Sequence, residues 1–124
     1  MYCQPLLSFG NSDISKLYKQ GKLQTVKYGL YGGQLNVDNC TREHIKPKSK
    51  GGQGTKENIA LATAENNQAR GNKPLSECLS AKDVALWSYQ LLIMPKSKNF
   101  DNIAYLKGNL KTIIEELQNE RKQQ

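Results

Sequence analysis

The sequence predicts a small α+β protein, and two observations carry that expectation. Apolar residues in the last third of the chain recur at helical spacing, whereas the middle sets β-branched and aromatic stretches between Gly- and Lys-rich turns. At 124 residues the chain is read as one domain, residues 1–124, long enough for a modest core.

The elements follow in order. "NSDISKLYKQGKL", from Asn11, reads as a short helix: Asn11 or Ser12 caps it, Ile14, Leu17 and Tyr18 share a face, and Gly21 suits the left-handed stop. "LQTVKYGLYGGQLNV" follows as a hairpin turned at Gly32-Gly33. "TREHIKP" reads as a strand closed by Pro47, and "KSKGGQGTKEN" as a loop. "LATAENNQARG" then gives a helix capped near Thr63 and stopped by Gly71. "SAKDVALWSYQLLI" opens with a Ser80-x-x-Asp83 capping box and lines Val84, Trp87 and Leu91 along one stripe. After a short linker at Pro95, residues from Asp101 repeat Ile103, Leu106, Leu110, Ile113, Ile114 and Leu117 at helical period, with a polar tail that frays.

Composition narrows the function classes. Mean hydropathy is −0.69. The longest apolar run, "VALWSYQLLIM", is broken by Ser88 and Gln90, so neither a membrane span nor a secretory signal is visible. The expectation is a soluble cytoplasmic protein with no membrane partner. Three widely spaced cysteines, Cys3, Cys40 and Cys78, make neither a disulfide framework nor a C-x-x-C zinc ribbon, so reduced thiols and no structural zinc are expected. The net charge of +7 favours an anionic partner, nucleic acid first. Residues 42–73 hold seven of the eighteen basic side chains and three of the eleven acidic ones, a net +4, together with the single histidine. The basic face is expected there.

That segment resembles the HNH endonuclease family. The matching residues are "EHIKPKSKGG" from Glu43, Asn58 of "ENIAL", and "NNQARGNKPL" from Asn66. His44, Asn58 and Asn67 stand at the three name-giving positions, fourteen and then nine residues apart, a His-Asn-Asn variant. The resemblance implies a ββα-metal core at about residues 35–73, flanked by an N-terminal helix and hairpin and by two C-terminal helices at about 80–122. It implies that His44 is the general base, that Glu43 and Asn67 are metal ligands, and that Asn58 braces the loop. Arg70 occupies a position that is often basic, where it would hold phosphate. Two departures are visible: Glu43 stands where Asp is commoner, and Thr63 and Asn66 stand where many members carry zinc-binding cysteines.

The chemistry is sensible on its own terms. A neutral imidazole takes a proton at cellular pH. A hard divalent cation, Mg²⁺ first and Mn²⁺ second, prefers oxygen ligands such as the Glu43 carboxylate and the Asn67 amide. Neighbours on a strand face opposite sides, so Glu43 and His44 must either sit at an irregular strand end or work from different sides. Arg42, Lys46, Lys48, Lys50, Lys56, Arg70 and Lys73 are the candidate nucleic-acid contacts, whereas Asn66 reads as a solvated helix residue. The expected function is metal-dependent hydrolysis of phosphodiesters in DNA, leaving 5′-phosphate and 3′-hydroxyl ends. With no separate DNA-reading module visible, selectivity is weak or comes from a protein partner; the small size suits a phage or mobile-element nuclease, a restriction component or a toxin domain. The rival classes are a catalytically inactive HNH-fold nucleic-acid-binding protein and, more weakly, a structural protein assembling through the 101–122 helix.

Overall fold

The computed structural model describes residues 11–23, 25–97 and 100–123. The elements run α1 (Asn11–Lys19), β1 (Cys40–His44), a 3₁₀ turn (Lys48–Lys50), β2 (Ile59–Thr63), α2 (Ala64–Arg70), α3 (Leu75–Cys78), α4 (Ala81–Ile93) and α5 (Asn102–Lys122). Mixed helix and strand is therefore the architecture, an α+β fold with, among the described residues, one two-stranded antiparallel sheet. The register pairs Cys40 with Thr63, Arg42 with Leu61 and His44 with Ile59. All five residues of β2 are buried, which is why "IALAT" shows no alternation.

Local chemistry explains the helix ends. The Thr63 side chain accepts from the Asn66 N–H, and Gly71, at φ 53°, stops α2. Ser80 accepts from Asp83 N–H at the start of α4, as the capping box requires. Ile14 and Tyr18 of α1 are buried and Gly21 has φ 82°. The capping role assigned to Asn11 or Ser12 falls outside the described side chains.

The expected hairpin at 23–37 is a smaller thing. Its pairing is a single bridge between Tyr28 and Gln34, around Gly32 at φ 86° and Gly33 at φ 79°. The segment also docks on β2: Leu30 N–H donates to Leu61 O at 3.0 Å. A Cβ at Gly29 would lie 3.0 Å from the Ala62 Cα, so the close approach needs glycine. Gln90 of α4 then supplies what a partner strand would have, accepting from Lys27 and Tyr28 N–H and donating to Tyr28 O.

The core runs from Ile14 through Leu30, Ile45, Ile59 and Leu61 to Trp87, Leu91, Tyr105 and Ile113. Helix α5 contributes a stripe the hydropathy pattern conceals. Asn102, Tyr105, Leu106, Asn109, Ile113, Glu116 and Glu120 are its buried residues, whereas Ile114 is 56% exposed. Four of these, Asn102, Tyr105, Asn109 and Glu120, bind backbone. Asn102 Nδ2 donates to Leu91 O and Met94 O at the end of α4. Asn109 Nδ2 donates to Lys56 O and Glu57 O, and the Tyr105 hydroxyl donates to Ile59 O. Glu120 accepts from the N–H groups of Leu75 (2.6 Å) and Ser76 (3.1 Å), capping α3 with a carboxylate. The long helix thereby fixes both ends of the segment that joins the loop to the sheet.

Among the described residues, no helix is long and apolar enough to cross a membrane.

Candidate active site

The ladder is regular through Glu43 and His44, which face Ala60 and Ile59. Their side chains therefore leave opposite faces of β1. Of the two arrangements open to them, the strand takes the second: the carboxylate lies on the helix side and the imidazole on the other.

Glu43 is buried beneath α2. Arg70 Nη1 donates to its Oε2 at 3.0 Å, and the Tyr31 hydroxyl donates to the same oxygen. Arg70 Nη1 also reaches Tyr31 Oη at 2.9 Å and the carbonyls of His44 and Ile45, each at 3.0 Å. One nitrogen with two hydrogens thus shares them among four oxygens. Its Nε donates to Lys73 O at 3.0 Å. Arg70 is 1% exposed, so the expected phosphate contact is corrected: its guanidinium is a buried counter-ion that ties α2 to the end of β1. Burial of an unpaired Glu43 would be costly, and the pairing answers that cost. Tyr31 belongs to this cluster and was not anticipated. Burial first, then the Glu43 charge, raises its hydroxyl pKa well above the ordinary value, so it stays a donor.

His44 is half-buried. Its Nε2 is buried without a partner among the described residues, and Nδ1 is not so enclosed, which makes Nδ1 the nitrogen open to water. Burial lowers the imidazole pKa below 6.5; the Lys48 and Arg42 charges push the same way, and Glu43 opposes them. The neutral ring is the favoured form. Arg42 shares the His44 face of β1 by alternation and is exposed, as is Lys48 in the 3₁₀ turn.

Asn58 clamps the loop between the strands. Its Oδ1 accepts from Lys46 N–H at 2.7 Å, and Nδ2 donates to Lys46 O (3.0 Å) and Gln53 O (2.8 Å). Its own carbonyl accepts from Ile45 N–H at 2.9 Å, extending the pairing one step beyond β1. Gly52 completes the turn, with its N–H on Pro47 O; a Cβ there would sit 1.8 Å from Lys46 O.

Asn67 lies one helical turn before Arg70 on the same face of α2. Its Nδ2 donates to Thr41 Oγ1 (3.0 Å) and Arg42 O (3.4 Å), leaving Oδ1 without a protein donor among the described residues. Asn66 is not simply solvated: its Nδ2 donates to Gly32 O at 3.0 Å and holds the turn that delivers Tyr31.

The donor chemistry fits a hard divalent cation. Asn67 offers an oriented amide oxygen, and both bonds to Glu43 fall on Oε2, leaving Oε1 as a carboxylate donor. An ion held by these groups would share Glu43 with Arg70. Among the described residues no three His, Cys, Asp or Glu side chains group as a metal cluster, and the amide ligand lies outside such a grouping.

The remaining basic residues divide. Lys46 and Lys50 line a cavity against the end of α5. Lys56 is ion-paired with Glu57, which reduces its availability to phosphate. Lys73 is exposed beyond α2.

Compared with protein-family models, with curated proteins and with solved structures, the chain matches none.

Proposed function

We propose that the protein is a metal-dependent endonuclease of the HNH type that hydrolyses phosphodiester bonds in DNA. The observation that carries the reading is His44, a half-buried imidazole biased to its neutral form, with Nδ1 open and two cations beside it. Nδ1 takes the proton of a water as the water oxygen bonds to phosphorus. The bond from phosphorus to the 3′ oxygen breaks, and that oxygen leaves as the 3′-hydroxyl after protonation by solvent. Arg42 and Lys48 draw the phosphate toward His44. Glu43 and Asn67 would hold the cation, which supplies positive charge to the scissile phosphate. Asn58 fixes the loop that carries Lys46, Lys48 and Lys50.

One observation favours a second reading, a nucleic-acid-binding protein without chemistry. The Glu43 carboxylate is already satisfied by Arg70 and Tyr31. Plasmid nicking with Mg²⁺, Mn²⁺ or EDTA, comparing wild type with His44→Ala, separates the two. Metal-dependent nicking that falls by about 10²–10⁴ in the variant supports the nuclease. DNA binding with no cleavage under any ion supports the binder.

A further inference from the structure

The cavity between the loop and the last turns of α5 holds a combination of charges that the reaction at His44 does not use. It measures about 380 Å³ and is lined by Lys46, Lys50, Glu116, Asn119, Lys122 and Gln123. Lys46 and Lys50 flank Lys48 in sequence, and Lys48 is a charge felt at His44. The same short turn thus serves the imidazole on one side and this cavity on the other.

Glu116 is the unusual member. It is 4% exposed, yet among the described residues it has no hydrogen-bond partner and no ion-pair partner within 4.0 Å. Its neighbour Glu120 is consumed in capping α3. Burial and the Glu120 charge raise the Glu116 pKa, while Lys50, Lys46 and Arg70 pull it down. Neither carboxylate oxygen is fully enclosed, so the group opens onto the cavity, where N–H donors of a bound molecule can meet it. A simple anion answers the lysines but is repelled by Glu116, and a simple cation has the reverse fault. A nucleotide answers both, with phosphate for the lysines and base N–H groups for the carboxylate.

We infer that this cavity receives one unpaired nucleotide of a DNA strand, preferring guanine, with its phosphate on Lys46, Lys50 and Lys122 and its base edge on Glu116. Guanine is chosen because its Watson–Crick edge alone presents two adjacent donor groups, N1–H and the 2-amino group, to match two carboxylate oxygens. That edge is free only when the base is unpaired. The exposed amides of Asn119 and Gln123 supply further donors and acceptors at the rim. This inference rests on the DNA-directed reading above and adds a preference to it.

The test is fluorescence anisotropy in EDTA with labelled single-stranded oligonucleotides of thymidine, each carrying one central G, inosine, A, C or T. Wild type should bind the G strand on the order of tenfold more tightly than the all-T strand, with inosine, which lacks the 2-amino donor, in between. Glu116→Gln should abolish that preference while retaining affinity for the all-T strand. Lys122→Ala, at an exposed position, should weaken every strand alike and lower the slope of log K against log salt by about 0.7. Equal affinity for all five strands in wild type overturns the inference, as does a G preference that survives Glu116→Gln. The wild-type comparison needs no variant, so it decides the matter even if Glu116→Gln fails to fold. Because no cleavage is read, the two claims fail separately: metal-dependent nicking without base preference sinks only the pocket, and base preference without nicking sinks only the nuclease.

Discussion

Arg70→Ala is the most informative single change, because the burial of Arg70 reverses its expected role. The substitution leaves the buried Glu43 carboxylate without its counter-ion and strips donors from the His44, Ile45 and Lys73 carbonyls. Removing one partner of a buried pair costs about 3–5 kcal/mol. The abandoned carbonyls add to this, though not additively, since all depend on one side chain. Against a total stability of about 5–15 kcal/mol this is a large share. The loss should appear as a lower urea midpoint with unchanged slope, and as a fall in Tm on the order of 10–20 °C. Glu43→Gln provides the control: in the double variant the orphaned charge is gone, so the combined cost should be well below the sum of the single costs. An exposed phosphate-binding arginine predicts something different, a stability change within about 0.5 kcal/mol. A loss below about 1 kcal/mol for Arg70→Ala, or strictly additive costs in the cycle, would refute the buried-pair account.

Three other outcomes are expected. The His44 pKa is lowered, first by burial and then by Lys48 and Arg42, so the neutral base persists into mildly acid solution. The single-turnover cleavage rate should therefore rise with pH at a midpoint below about 6.5, a midpoint that moves up in the Arg42→Ala, Lys48→Ala double variant; a flat profile between about pH 5 and 8, with chemistry limiting, would remove His44 as the base. Gly52→Ala places a Cβ 1.8 Å from Lys46 O, so the loop must rearrange: hydrogen exchange at Gly52 N–H and the Asn58 side-chain amide should accelerate, and native protection there would contradict the geometry. Burial pushes the Cys40 thiol up to about 11, outweighing Lys19 and the Ser15 hydrogen bond, which lower it; iodoacetamide at about pH 8 should label Cys40 on the order of a hundredfold more slowly in native protein than in urea, as read by peptide mass spectrometry.

Much of the local structure was written in short windows of the sequence, because caps, turns and helical period act between residues a few positions apart. Thr63 and Gly71 bound α2, Ser80 caps α4, and the Gly32-Gly33 turn forms at positive φ. The lone His44 and the basic turn after it were equally visible, since composition alone sets that segment apart. The chain did not reveal what the polar residues of its second half would do. In sequence Gln90, Asn102, Asn109 and Glu120 look like the wet side of a helix; in the fold each is buried and binds backbone contributed by another segment. Hydropathy cannot distinguish a polar side chain in water from one that donates or accepts to backbone inside the fold. The same limit hid the Tyr31–Glu43–Arg70 cluster, whose members lie 12 and 27 residues apart. An arginine near a phosphate motif and an arginine that neutralises a buried carboxylate are the same letter. What the sequence determined was therefore the identity of the candidate site groups and the local elements that carry them. Which of those groups face solvent and which are spent holding β1 against α2 was decided only by tertiary packing, because burial and pairing are properties of neighbours that the chain brings together from a distance.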